Sequence, residues 1–149
     1  MITASSNFRT NLLIEKLGME NIRTSLHALG ADGMKMLRGA EDDNKFRNTT
    51  ARGLGILLEA IAKGTAVDAV SCAEMVAILE KFNEGIPAGL PAGIRVAHKT
   101  GEISKIHYDA AIVFAGRPYI LVVLGLMRVY DKKVMSHAAF CSVLRSQKS

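Results

Sequence analysis

The segments IRVAHK (94–99), HYDAAIVFA (107–115) and PYILVVLGL (118–126) decide the fold of this chain. All three are short runs with the residue pattern of β-strands, set off by glycine, proline or polar residues. Only Gly116-Arg117 separates the second run from the third, which is a hairpin length, so these two strands are predicted to pair antiparallel. The third run is apolar from Tyr119 to Leu124, which predicts a strand buried on both faces.

The residues before these strands carry helical patterns. Helices are predicted over about 8–16, 19–29 and 48–64, each closed by a glycine. A further helix is predicted to begin at Ser71-Cys72-Ala73-Glu74, which has the spacing of a capping box. Residues 31–47 are predicted to form a long polar loop, and loops of that length in compact domains are usually functional or mobile. Residues 132–145 are predicted to form a C-terminal helix.

This order of elements predicts an α+β fold. Residues 1–93 are expected to be mainly helical, and residues 94–149 to form a three-stranded antiparallel meander followed by the C-terminal helix. With 149 residues the chain has the length of one domain. The segment 1–149 is therefore interpreted as a single domain, and the family resemblance described below makes it a partial one.

Composition argues against several classes of partner. Hydrophobic residues make up 49 % and charged residues 22 % of the chain, which is a globular composition. Aromatic residues reach only 5 % and tryptophan is absent, which disfavours a protein that stacks nucleic-acid bases. The net charge of +5 comes from scattered residues rather than a basic run. No nucleic-acid partner is predicted.

The sequence also gives little indication of a metal site, a cofactor or a membrane span. The four histidines form no i,i+4 pair, and Cys72 and Cys141 have no metal-ligand spacing, so neither a metal nor another cofactor is expected. Both cysteines are predicted to be buried apolar residues rather than a disulfide. The longest apolar stretch, 119–127, is too short to span a membrane. The first residues show no signal-peptide pattern, so the sequence does not give the compartment.

Two short motifs suggest chemistry. Lys99-Thr100-Gly101 follows the first strand: a lysine supplies positive charge, a hydroxyl can bind a carboxylate, and a glycine lets a ligand lie against the strand edge. Ser5-Ser6-Asn7 stands at the start of the first helix, where a serine is an ordinary N-cap. Each motif alone is weak, because three residues recur by chance.

Together with their surroundings, the motifs resemble the C-terminal half of class A β-lactamases and related penicillin-recognising serine hydrolases. That family carries S-x-x-K, S-D-N and K-T-G motifs. The resemblance covers essentially the whole chain from the S-D-N segment onward. The matching segments are Met1-Ile2-Thr3-Ala4-Ser5-Ser6-Asn7, Asn48-Thr49-Thr50-Ala51-Arg52, Ile86-Pro87-Ala88-Gly89-Leu90-Pro91, Val96-Ala97-His98-Lys99-Thr100-Gly101, His107-Tyr108-Asp109-Ala110 and Arg117-Pro118-Tyr119.

The resemblance implies a role for each matched residue. Ser5 resembles the hydroxyl that passes a proton to the leaving nitrogen, and Lys99 the ammonium that holds this hydroxyl. Asn7 resembles the amide that binds the substrate's acylamide group. Thr100 is expected to bind the substrate carboxylate. The backbone N–H of Glu102, just after the K-T-G motif, is expected to be one oxyanion-hole donor.

The sequence also departs from the family pattern. No serine among these residues has a lysine three positions later, so the nucleophile motif S-x-x-K is missing. Ser6 stands where the family has an aspartate. Glu41 is the candidate for the base that activates the deacylating water, although its neighbours do not match the family and a solvated surface charge is the alternative.

Three hypotheses remain at this point. The chain is part of a hydrolase that cleaves a β-lactam or related small molecule, or a non-catalytic relic or binding module, or a relative that cleaves peptides or esters. Because three strands leave a sheet edge unpaired, a complementing N-terminal polypeptide or a homo-oligomer is expected. The family resemblance implies a periplasmic or secreted protein.

Overall fold

The structure of the protein is a computed structural model, which describes residues 2–32, 34, 49–81, 85–103, 106–126 and 136–143. Within these residues the chain forms four α-helices, one short 3₁₀ helix and four β-strands. The helices are α1 (Asn7–Leu17), α2 (Met19–Ala28), α3 (Ala51–Ala62) and α4 (Ala69–Leu79), with the 3₁₀ helix η1 at Ile86–Gly89. The strands are β1 (Arg95–Ile103), β2 (Ile106–Phe114), β3 (Tyr119–Leu126) and β4 (Ser136–Val143).

The strands form one antiparallel sheet in the order β1-β2-β3-β4. The predicted meander of three strands is confirmed, and so is the α+β class. The register places Thr100 opposite Asp109 and Gly101 opposite Tyr108. Since β1 lies at the edge of the described sheet, one side of its backbone is open to a ligand.

The predicted C-terminal helix is wrong, because Ser136–Val143 pairs with β3 along its whole length as β4. The apolar spacing that suggested a helix also fits an extended strand when the residues are small. Serine, histidine, phenylalanine, cysteine and valine, which fill most of this segment, are also weak helix formers. The free edge of β3 therefore decides its conformation, because its unpaired backbone groups need partners.

The four helices predicted before the sheet are present, but the cap of α4 differs from the prediction. Asp68 is the N-cap, and its carboxylate accepts hydrogen bonds from the Ser71 N–H at 2.8 Å and the Ser71 hydroxyl at 2.8 Å. The predicted capping box of Ser71 and Glu74 is therefore wrong. Two further residues carry a cap where a helix start was predicted: Ser6 caps α1 and Thr50 caps α3.

The core lies on the face of the sheet that α3 and α4 cover. The buried residues of this cluster are Leu58, Ile61, Leu79, Ala97, Ala110, Ile112, Ile120 and Val122. A smaller cluster of Val96, Ala111 and Val113 lies on the other face under Ile86 and Leu90. On the helix side of β3, Ile120 and Val122 are buried and Leu124 is half-buried, whereas Leu121 and Val123 on the other side are both half-buried. The prediction of burial on both faces was therefore too strong.

Two smaller findings concern Cys72 and the described helices. Cys72 is buried and is a free thiol, as the apolar pattern predicted. The side chain of Cys141 lies outside the described part of the structure. Among the described helices, none has the length and apolar character needed to cross a membrane.

Candidate functional site

The site is centred on Lys99, which lies on the edge strand β1. Its ammonium group donates a hydrogen bond to the Ser5 hydroxyl oxygen at 3.1 Å and another to the Thr100 carbonyl at 2.5 Å. The first of these contacts joins residues 94 positions apart in the chain. The fold therefore brings together the two motifs that were singled out from the sequence.

Ser5 is placed by a turn that precedes α1. Its backbone N–H donates to the Ile2 carbonyl at 3.1 Å, and Ile2 packs against the main core cluster. The next residue, Ser6, accepts from the Arg9 N–H and caps the helix. Ser5 is thus free of the capping role, and its hydroxyl faces Lys99.

The backbone of Ser5 is strained. Its φ of 44° lies in the left-handed region, and no other non-glycine residue among those described has a positive φ. Such a conformation costs a residue with a Cβ about 1–2 kcal/mol. Strained backbone conformations of this kind are often found at functional sites, where the surrounding structure holds the residue in place.

The charge of Lys99 is subject to two opposing influences. Burial lowers the pKa of Lys99 below its ordinary value, and the negative charge of Asp109 partly offsets that change. A partly desolvated ammonium attracts an incoming anion more strongly than a fully hydrated one does. The position therefore suits recognition of a carboxylate.

Gly101 lies beneath the ring of Tyr108 on the neighbouring strand. A Cβ added at Gly101 would meet the ring carbons of Tyr108 at 2.0 and 2.1 Å and its hydroxyl oxygen at 2.4 Å. A side chain at this position would force the Tyr108 ring to move, so the glycine of the K-T-G motif accommodates this aromatic cover. Tyr108 lies on the same face of the sheet as Lys99, because the strand pairing places Ala110 opposite Lys99.

The other predicted site residues have the following positions in the structure. Thr100 is half-buried and, by strand alternation, lies on the sheet face opposite to Lys99. Asn7 is the first residue of α1, two positions after Ser5, and is exposed. Glu102 continues β1 opposite His107, and only its backbone is described. Glu41 lies outside the described residues, so its candidate role as a base stays a prediction.

A buried histidine–aspartate pair next to this site was not predicted as functional. His98 and Asp109 are 0 % and 8 % exposed, and the His98 Nδ1 lies 2.9 Å from one carboxylate oxygen of Asp109. Both residues lie in segments that resemble the family. Their polarity in otherwise apolar strands could have marked them as candidates, but their contact depends on a strand register that the sequence alone does not give. Among the described residues, no group of three or more histidine, cysteine, aspartate or glutamate side chains forms a possible metal site.

The chain matches a known protein family over most of its length. Residues 1–134 match the model of a family described as the β-lactamase enzyme family. A search of curated proteins gives no match.

Solved structures are similar to this chain over part of their length. The structure of PBP-A has a TM-score of 0.68 at 28 % identity, covering 74 % of this chain and 43 % of that one. A PBP-A mutant solved as an acyl-enzyme complex with penicillin G gives 0.77 at 25 % identity, with 87 % and 51 % covered. A β-lactamase from Streptosporangium roseum gives 0.67 at 30 % identity, with 75 % and 46 % covered. The chain thus spans about half the length of these structures.

Proposed function

The chain belongs to the β-lactamase enzyme family, and on that premise we propose that it supplies the carboxylate-binding and proton-relay side of a penicillin-recognising serine hydrolase. The observation that carries this proposal is the hydrogen bond from the Lys99 ammonium to the Ser5 hydroxyl at 3.1 Å. It joins the two motifs whose roles in the family require them to meet on one small ligand. The similar PBP-A mutant was solved as an acyl-enzyme with penicillin G, which supports a β-lactam as the substrate class.

The proposed chemistry follows from the hydrogen-bonding capacities of these two groups. An ammonium only donates, so the oxygen of Ser5 accepts from Lys99 and its own O–H is left to donate elsewhere. A β-lactam nitrogen needs a proton when its ring opens, and we assign that donation to the Ser5 hydroxyl. The positive charge of Lys99 stabilises the oxygen as that proton leaves.

Substrate binding is assigned to the neighbouring groups. Thr100 binds the carboxylate of the substrate at the edge of β1, Lys99 supplies positive potential from the other face of the same edge strand, and Gly101 lets the ligand approach the strand. Asn7 binds the acylamide group, and the backbone N–H of Glu102 contributes to the oxyanion hole.

The nucleophile has to come from outside these residues. None of the serines in the chain has a lysine three positions later, so the covalent step lacks its attacking group here. The whole hydrolase would therefore include a polypeptide segment that carries S-x-x-K. Its docking surface would include α1, because Phe8, Leu12 and Leu17 are 72 %, 51 % and 55 % exposed.

The alternative function, a binding module without catalysis, keeps the same carboxylate site. It would be favoured over the hydrolase if no segment carrying S-x-x-K complements this chain. The two functions differ in turnover, which requires a nucleophile from a complementing segment, and not in binding.

The test is a titration of the isotope-labelled chain with penicillin G, followed by NMR. Wild type is expected to show saturable shifts at Ser5, Lys99 and Thr100, and the Lys99→Met variant is expected to lose them. The Lys63→Met variant is the matched control, because it removes the same charge from the end of α3, where Lys63 pairs with Glu59. A chromogenic cephalosporin should show no turnover by the chain alone. Turnover at ordinary enzyme rates, about 1–10³ s⁻¹, or shifts that survive in Lys99→Met, would contradict the proposal.

A further inference from the structure

The carboxylate of Asp109 makes contacts with two elements near Lys99. One of its oxygens lies 2.9 Å from the His98 Nδ1. The other accepts from the Ile86 N–H at 2.8 Å and lies 3.2 Å from the same His98 nitrogen. An ionised carboxylate only accepts, so His98 Nδ1 carries the hydrogen that it donates. Asp109 on β2 thus joins His98 on β1 to the first residue of η1.

Gly85 fits against the same carboxylate. Its φ is +78°, and a Cβ added there would lie 2.3 Å from an Asp109 oxygen and 3.1 Å from the Thr100 methyl carbon. The chain at Gly85-Ile86 is therefore seated directly on Asp109, beside Thr100. The Gly85-Ile86 turn thus covers the sheet face that carries Asp109 and Thr100, next to the proposed carboxylate-binding edge.

We propose that Asp109 is a positioning residue, which holds Lys99-Thr100-Gly101 in the geometry that binds an anion by tying β1, β2 and the Gly85-Ile86 turn together. The register supports this assignment, because Asp109 lies directly opposite Thr100 and Lys99 lies opposite the next residue, Ala110. The proposal rests on the proposed function, since it concerns the same site. Asp109 itself is nearly buried and acts through its neighbours rather than on the ligand.

Charge gives Asp109 a second effect on the same lysine. Its negative charge raises the pKa of Lys99, against the lowering that burial causes. The carboxylate therefore favours the protonated lysine that anion binding needs. Because Thr100 lies between Asp109 and the open edge, the ligand would meet Lys99 and Thr100 before it met this negative charge.

The first test compares Asp109→Asn with Asp68→Asn. The amide at 109 keeps the shape, but its NH₂ group cannot accept. With the amide oxygen turned toward the Ile86 N–H, the 2.9 Å hydrogen bond from His98 is lost and only the longer 3.2 Å contact to His98 can remain. Asp68→Asn makes the same change at the exposed cap of α4. Asp109→Asn is expected to lower the Lys99 pKa, to speed hydrogen exchange of the Ile86 amide, and to weaken penicillin G binding about tenfold, or about 1.4 kcal/mol. Asp68→Asn should change none of the three.

The second test leaves every charge in place. Gly85→Ala pushes a methyl group into the Asp109 carboxylate, whereas Gly93→Ala imposes a similar strain at a φ of +89° with no atom within 4 Å of the added carbon. Gly85→Ala is expected to weaken penicillin G binding and to speed Ile86 exchange more than Gly93→Ala does. This pair decides the question if Asp109→Asn does not fold.

The outcomes separate the two proposals. If wild type does not bind penicillin G, the proposed function fails, while the Lys99 titration and the Ile86 exchange still test the role of Asp109. If Asp109→Asn and Gly85→Ala lower the melting temperature but leave the Lys99 pKa and penicillin G binding unchanged, Asp109 is only a structural residue and the inference is overturned.

Discussion

At the scale of single residues, the site depends on a strained serine held against a partly desolvated lysine. Ser5 has a φ of 44°, and its hydroxyl accepts from Lys99. A residue with a Cβ is disfavoured there, yet the hydroxyl is needed for the contact. Backbone strain and the side-chain contact with Lys99 therefore occur at one position.

Replacing Ser5 by alanine or glycine separates these two effects. Both variants lose the hydrogen bond to Lys99, but only glycine relieves the left-handed conformation, which costs about 1–2 kcal/mol for other residues. Ser5→Gly is expected to be more stable than Ser5→Ala in urea unfolding. Both should lose proton relay in any complemented enzyme. Equal or reversed stability of the two variants would show that the backbone at Ser5 is not strained.

At the scale of elements, the caps decide where the helices begin. Asp68 caps α4, and its hydrogen bonds from the backbone N–H and then from the hydroxyl of Ser71 lower the pKa of its carboxyl. A carboxyl whose pKa is lower in the folded chain adds stability above its unfolded pKa of about 4. That stability is lost as the pH falls through the folded value.

Asp68→Asn is therefore expected to be less stable than wild type at neutral pH, and the difference should shrink in acid below about pH 4. Glu74→Gln removes an equal charge from the same helix at an exposed position and should show no such dependence. Circular dichroism melts at pH 7 and pH 3 check both variants. If Glu74→Gln instead reproduced the acid-dependent loss, the capping box expected from the sequence would be right and the cap at Asp68 wrong.

Some elements could be predicted from the sequence alone, and others could not. The three strands of the meander were predictable, because their apolar runs and the Gly116-Arg117 turn are local signals. Strand β4 was not, because its pattern fits a helix equally well and its conformation is decided by the distant edge of β3. The His98–Asp109 contact likewise depends on a register between strands. The roles of Ser5 and Lys99 came from family resemblance, and only the fold brings the two residues together.

At the scale of the whole molecule, part of the surface is apolar and uncovered. Helices α1 and α2 contribute no buried residue, and α1 exposes Phe8, Leu12 and Leu17. The sequence predicted an unpaired sheet edge without naming the strand, and β4 pairs with the edge of β3. The predicted need for a partner therefore rests on α1 and on the edge of β1 rather than on β3.

The isolated chain is expected to self-associate or to bind a hydrophobic dye through α1. Replacing Leu12 and Leu17 together by glutamine should reduce both, because exposed apolar area drives association at about 25 cal/mol per Å². Val67→Gln is the control, since Val67 is 67 % exposed elsewhere on the molecule. Sedimentation equilibrium makes the comparison. A wild-type chain that is strictly monomeric, unfolds cooperatively and binds no dye would show that α1 needs no partner.

The central claim is that this chain holds the carboxylate-binding side of a penicillin-recognising site. The most direct measurement compares the dissociation constants of penicillin G and its methyl ester for the wild-type chain by NMR titration. The two ligands differ in the carboxylate that Lys99 and Thr100 are proposed to bind. Penicillin G is expected to bind at least about tenfold more tightly than the ester, or about 1.4 kcal/mol, with shifts centred on Ser5, Lys99 and Thr100. Equal affinity for the two ligands, or shifts elsewhere, would contradict it.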